Sequence, residues 1–357
     1  MFLALGSAGF FLYLGKDALD HLSGSFALGG VFVWLFAGVL WSAICVARHA
    51  DSLAVKLGEP YGTLILTLSA IAIEVIMISA AVLHGANNPT FARDMMFAVV
   101  MIALNGLIGL SLLVGGWRHR EQHYNLQGTS SYLNTIMALS ILGFVLPNYT
   151  NSLSGSRFSF IREDFLIVTS LILYGIFLAV QTSRHRHYFT ETGAREGGAD
   201  GGHDFIVRST GFHSAMLLLY LGGVIVLAEK LAIPLDNCVE RFGMPQAFGG
   251  AIVAGLVLAP EGLAAIRASG RNQLQRSVNI LHGSVLAAIG LTIPAVLTIG
   301  LITGRKVTLG IEGGNLPLLV LTLGSSIVTF GSGRTNVLQG CIHLLLFGVF
   351  VLLIFYP

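Results

Sequence analysis

Long apolar runs separated by short polar stretches dominate the chain. Ten of them approach the roughly 20 residues needed to cross a bilayer as helix, at 26–47, 61–84, 93–116, 130–150, 164–181, 211–231, 246–268, 277–302, 314–331 and 335–355. An eleventh run, Phe2 to Gly15, is short and has no basic leader, so it reads as a further helix rather than a signal peptide. Runs such as FALGGVFVWLFAGVLWSAICVA are apolar on every face, which excludes the alternation of a β-barrel strand. The pattern predicts an all-α polytopic membrane protein of about eleven spans, and composition agrees. Of 357 residues 54% are hydrophobic and 11% charged, and the 44 glycines suit helices that pack backbone to backbone in lipid.

Charge adds orientation and exclusions. The net charge of +2 forms no basic patch, so nucleic acid is not a partner. Cys45, Cys238 and Cys341 lie far apart without ligand spacing, which excludes a disulfide framework and a zinc site. With eleven spans, Arg48, Lys56, Arg118, Arg120, Arg184, Arg186, Arg195, Arg208, Arg267, Arg271, Arg276 and Arg334, twelve of the 20 basic residues, fall on the same side as the N-terminus, which places that end in the cytoplasm and the C-terminus outside. The hydrophilic stretch 182–210 reads as a cytoplasmic linker dividing the chain into a leading helix, 1–25, a first half, 26–181, and a second half, 211–357.

Of the 18 acidic residues, only Glu74 and Glu261 lie well inside predicted spans. A charge at the bilayer centre costs roughly 2.5–3.5 kcal/mol on insertion scales, so such a residue faces a cavity or a partner. At that cost the bare carboxylate is the least favoured form, and the site holds either a proton or a cation. Two carboxylates neutralise a divalent ion, and hard oxygen ligands favour Ca²⁺ over softer metals. The two acids occupy matching places. LSAIAIEVIMISAAVL with Glu74 and GLVLAPEGLAAIRAS with Glu261 are each followed by an Arg-led helix rich in small and amide residues, and HYNLQG at 123–128 matches RTNVLQG at 334–340. Five helices per copy is an odd number, so the second copy crosses in the opposite sense, as in the inverted repeats of secondary transporters.

Candidate supporting groups surround each acid. Thr67, Ser69 and Gly62 share the Glu74 helix, with Pro60 at its start; Pro260 precedes Glu261 and is expected to interrupt its helix and free carbonyls as ligands. Asn105 on one partner helix, and Asn279, His282 and Ser284 on the other, offer amide, imidazole and hydroxyl groups, with interhelical hydrogen bonding as the alternative role. His343 reads as a packing histidine, with proton relay as its alternative.

The chain resembles the calcium/proton antiporter family of the cation/calcium exchanger superfamily, and within it the bacterial ChaA branch. The resemblance rests on RHADSLAVKLGEPYGTLILTLS at 48–69, RDMMFAVVMI at 93–102, QTSRHRH at 181–187, LAPEGLAAIRASGRNQLQRSVNILHGSVLAAIGLTIPAV at 258–296 and GRTNVLQGCIHLLLF at 333–347. It implies one leading helix plus two inverted five-helix repeats, and cation/proton exchange in the bacterial inner membrane with Glu74 and Glu261 as central acids. The cargo it implies is Ca²⁺ and, for this branch, Na⁺ and K⁺. No cofactor is implied, the partners are the transported ions and the lipid bilayer, and self-association is left open. Two features depart from the family pattern: acids in the linker are scattered (Glu191, Glu196, Asp200, Asp204), and no GNxxEL-like string surrounds Glu74. Enzyme chemistry lacks its motifs, since neither HExxH nor a pair of membrane aspartates occurs. A channel would want weak multi-site binding rather than one central acid per half. The remaining alternative is an exchanger of the same architecture devoted to Na⁺ or K⁺.

Overall fold

The computed structural model describes residues 2–13, 25–58, 61–84, 88–150, 156–189, 209–305 and 307–356. Within them lie eleven helices: α1 (Phe2–Tyr13), α2 (Ser25–Leu57), α3 (Tyr61–His84), α4 (Phe91–His119), α5 (Leu126–Tyr149), α6 (Ser156–Ala179), α7 (Thr210–Arg241), α8 (Gln246–Gly270), α9 (Leu274–Thr303), α10 (Asn315–Thr329) and α11 (Val337–Phe355). Nine of these are long and apolar enough to cross a membrane, the exceptions being α1 and α10. At 1.5 Å per residue, the 15 residues of α10 reach only about 22 Å, short of the span predicted at 314–331. Large apolar side chains face outward along α2 (Val33, Trp34, Trp41), α6 (Phe165, Val168, Ile172, Ile176) and α11 (Leu345, Val351, Leu352), as lipid contact requires.

Several helices outrun the sequence reading. α2 continues ten residues past its predicted end because RHADSLAVKL keeps a buried stripe, Val46, Ala50 and Leu53, while Arg48, Asp51 and Lys56 occupy the other faces. Gly58, at φ +66°, then supplies the left-handed residue that ends it. α7 likewise runs through Pro234 to Arg241 on the buried residues Leu231, Leu235 and Val239. The stretch read as a linker is ordered at its start. α6 extends through a π-turn at Val180–Arg184 and a 3₁₀ turn at Arg186–Tyr188, and Phe189 packs edge-on against Tyr132 and Phe177. Residues 190–208, which include the scattered linker acids, lie outside the described residues.

The chain forms two compact units that draw on both sequence halves: Met1–Met95 with His203–Pro260, and Met96–Gly202 with Glu261–Pro357. In the first, α2, α3 and α7 pack on one another, with α1 against α2 and α7. In the second, π-turns interrupt α4 at Ile102–Leu107, α5 at Ile141–Val145 and α9 at Ala288–Thr292. Such turns recur at functional sites. The repeated NLQG-like strings act as helix starts. Asn125 Oδ1 accepts from Gln127 N and Gly128 N at the head of α5, and Asn336 forms a capping box with Gln339 at the head of α11. The residues before the two caps pair antiparallel as β1 (Gln122–His123) and β2 (Arg334–Thr335), with His123 opposite Arg334.

Candidate cation site

In the first unit Glu74 sits near the middle of α3, whose described part carries no other charged side chain. It is 5% exposed, among Ile71, Ile73, Met77 and Ile78 of the same buried stretch. Ser69 is buried and Thr67 half-buried on the same helix. Gly62 lies in the first turn, and Pro60 is outside the described residues.

In the second unit Glu261 on α8 receives a hydrogen bond from the Ser284 hydroxyl of α9. The same oxygen lies 2.8 Å from the carbonyl of Ile280, so the hydroxyl hydrogen has two acceptors to choose between. The next residue, Gly262, lets α4 come close: a Cβ there would lie 2.6 Å from Leu107 Cδ2. Pro260 does not interrupt α8, contrary to the sequence expectation. The helix runs unbroken from Gln246 to Gly270, and only the missing N–H acts, depriving the Leu256 carbonyl of its helical donor.

The remaining candidates divide. Asn105 is fully buried in the π-turn of α4, where Nδ2 donates to Thr322 Oγ1 at 2.8 Å and Oδ1 lies 3.3 Å from His343 Nδ1. His343 completes the network through Nε2, 3.0 Å from Thr329 Oγ1. Both ends of the Asn279 amide are occupied, by Gln275 at 2.8 Å and by the Phe189 carbonyl at 2.6 Å. His282 is fully buried, with Nδ1 3.0 Å from the Val278 carbonyl and its ring against Tyr132 and Phe330. Sequence reasoning missed the α10 partners. Their signal is the spacing of Thr322, Ser326 and Thr329, which puts three buried hydroxyls on one helical face. Among the described residues no group of three His, Cys, Asp or Glu gathers as a resident metal centre. The arrangement instead sets Glu74 in one unit and Glu261 in the other inside apolar helix, with the Ser284 hydroxyl on Glu261 and the Thr67 and Ser69 hydroxyls on the Glu74 helix, a donor set for hard cations and protons.

Comparison with known proteins identifies the family. The family described as sodium/calcium exchanger protein matches residues 27–183 and 212–356. The ionic transporter y4hA of Sinorhizobium fredii is 42% identical over 90% of this chain and 88% of its own length. The sodium-potassium/proton antiporter ChaA of Escherichia coli is 38% identical over 89% of this chain and 87% of its own. The crystal structure of the Ca²⁺/H⁺ antiporter protein YfkE superimposes with a TM-score of 0.75 at 18% identity, covering 99% of this chain and 98% of that one, a likeness of fold.

Proposed function

Because the chain belongs to the sodium/calcium exchanger family, we propose that it is a secondary cation:proton antiporter in which Glu74 and Glu261 bind cation and proton in turn. The observation that carries this reading is that Glu74 in one unit and Glu261 in the other are each set inside a stretch of otherwise uncharged membrane helix. Neither acid is cheap to leave bare there, so exchange is obligatory: a cation leaves when protons arrive. Ser284 suits the switch. With its hydrogen on Glu261 it steadies the carboxylate; with the hydrogen turned to Ile280 it offers a lone pair to an incoming cation. Cations taken from the cytoplasm are released outside and protons return by the same acids, driven by the inward proton gradient through alternating access.

The topology proposed is that of an integral protein of the bacterial inner membrane, N-terminus cytoplasmic and C-terminus outside, built as a leading helix and two inverted repeats over 26–181 and 211–357. Ca²⁺ is the cargo whose double charge two carboxylates neutralise. A second reading, Na⁺ or K⁺ as principal cargo, is favoured by the 38% identical relative, whose name is that of a sodium-potassium/proton antiporter. Inside-out vesicles with an imposed pH gradient, given CaCl₂, NaCl or KCl in turn and followed with a pH-sensitive dye, test both. Glu74→Gln and Glu261→Gln should each abolish the response while the protein still inserts. Normal exchange by either variant refutes the role given to that acid, and the responding salt identifies the cargo.

A further inference from the structure

The first unit holds a titratable cluster apart from the two carboxylates. Nδ1 of His49 on α2 lies 2.9 Å from Nδ1 of His213 on α7. Two nitrogens at that separation share one hydrogen, because two N–H groups would collide and two lone pairs would repel. The neutral pair is therefore a hydrogen bond, and it survives one extra proton placed on the outer nitrogen of the donor ring. A second extra proton has to occupy the accepting Nδ1. That ends the contact and leaves two like charges on rings whose centroids are 5.2 Å apart. His213 is 6% exposed and His49 half-buried, so water reaches the pair from the His49 side.

Aromatic neighbours fix the rings. Tyr220, two turns along α7, stacks on His49 at 5.8 Å, and its hydroxyl meets the thiol of Cys45, one turn before His49. Phe212 closes the rim edge-on at 6.0 Å. The other ionisable groups of α2 near this end are Arg48, Asp51 and Lys56. Those of α7 beyond Tyr220 (Glu229, Lys230, Asp236, Cys238, Glu240 and Arg241) begin more than four turns from His213. α3 returns beside α2 after three residues, so the level of His49 falls near residue 69. Glu74, the one ionisable group among the described side chains of α3, is about five residues, roughly 7 Å, farther in. α1 brings only Tyr13, and the part of α8 in this unit brings none.

We propose that His49 and His213 form a third proton-binding site of this antiporter, a clamp that joins α2 to α7 while it holds at most one extra proton and parts them when it takes two. α2 and α7 pack on the helix that carries Glu74, so parting them loosens the frame of that carboxylate and slows exchange in acid. This is regulation, separate from competition between protons and cations at the carboxylates. The opened clamp binds more protons than the closed one, so its closure weakens as pH falls.

The full-length protein tests it with two readouts, and only the second depends on the antiport reading. The first is the thermal unfolding midpoint of purified protein in detergent between about pH 8 and about pH 5, the range in which histidine pairs titrate. The wild-type midpoint should fall with acid. In His49→Gln and His213→Gln the fall should shrink, and the double variant should match the singles, as expected for two members of one interaction. The second is exchange in vesicles: at the alkaline end the variants should keep the wild-type half-saturating cation concentration, while the acid limb loses one titrating step. Should Gln at 213 prevent insertion, His213→Asn takes its place. A midpoint that falls in the variants as in wild type, additive single effects, or an unchanged acid limb would each overturn the clamp.

Discussion

Gly340→Ala is expected to separate two helices and break the polar network of the second unit. A Cβ at Gly340 would lie 2.7 Å from Leu113 N and 2.9 Å from Gly109 O, both backbone atoms of α4 that cannot rotate away. Comfortable carbon contact needs about 3.5 Å, so α11 has to retreat by roughly 0.8 Å. His343 rides on the same helix one turn later. Its 3.3 Å contact with Asn105 would lengthen to about 4.1 Å, beyond hydrogen-bond range. Overpacking of this kind costs about 1–3 kcal/mol, and an interhelical hydrogen bond in a membrane about 0.6 kcal/mol more. The expected loss is about 1.6–3.6 kcal/mol, roughly 15- to 400-fold in the folded population. SDS titration of the purified protein in mixed micelles measures it. Gly348 is the control, because a Cβ there meets nothing within 4 Å on the same helix. If Gly340→Ala unfolds at the wild-type midpoint, or if Gly348→Ala loses as much, the close approach of α4 and α11 does not carry the stability assigned to it.

Two further substitutions separate ligand from scaffold. Ser284→Ala removes the lone pair offered to the cation, a contact comparable to a hydrogen bond to a charged group at about 1.5–3 kcal/mol, and should raise the half-saturating cation concentration about tenfold or more in vesicle flux assays, whereas Ser284→Thr keeps the hydroxyl and should stay close to wild type. Equal behaviour of the two would remove Ser284 from the site. Asn279→Ala should behave in the opposite way: with its amide bound to Gln275 and Phe189, its loss should lower the unfolding free energy by about 1–2 kcal/mol and leave the half-saturating concentration unchanged, and a selective change in cation affinity would assign it to the site as a ligand.

How far the sequence foretold this depends on the kind of signal. The bounds of α3 and the burial of Glu74 were legible because one acid in a long apolar run has a single physical meaning. The last ten residues of α2 were not, since an average over hydropathy penalises Arg48, Asp51 and Lys56 although the buried stripe Val46, Ala50, Leu53 continues beneath them. π-turns leave no mark in composition, so the widened turn that holds Asn105 could not be foreseen. The pairing of Asn105 with Thr322 joins residues 217 positions apart, which no local pattern encodes. For Asn279 the sequence left ligand and interhelical hydrogen bonding as alternatives, since residue type alone does not give its partners, Gln275 and the Phe189 carbonyl.

The repeated asparagines illustrate how a weak string match gains meaning from geometry. Asn125 and Asn336 both cap helices, and the residue two before each, His123 and Arg334, stand directly opposite in the β1 and β2 pairing. The flanking pairs obey the same relation. Gln122 faces Thr335, and Tyr124 meets Gly333 through N–H to carbonyl at 3.2 Å, so exchanging the two segments maps one pair onto the other. An antiparallel ladder centred on matched positions is what two copies related by a local two-fold axis would produce, so the ladder supports two matched copies, whereas their opposite sense in the membrane rests on the odd number of five helices proposed per half. The ladder also shows why compact units need not follow sequence halves: the segments that begin α5 and α11, one from each half, complete each other's hydrogen bonds inside one unit.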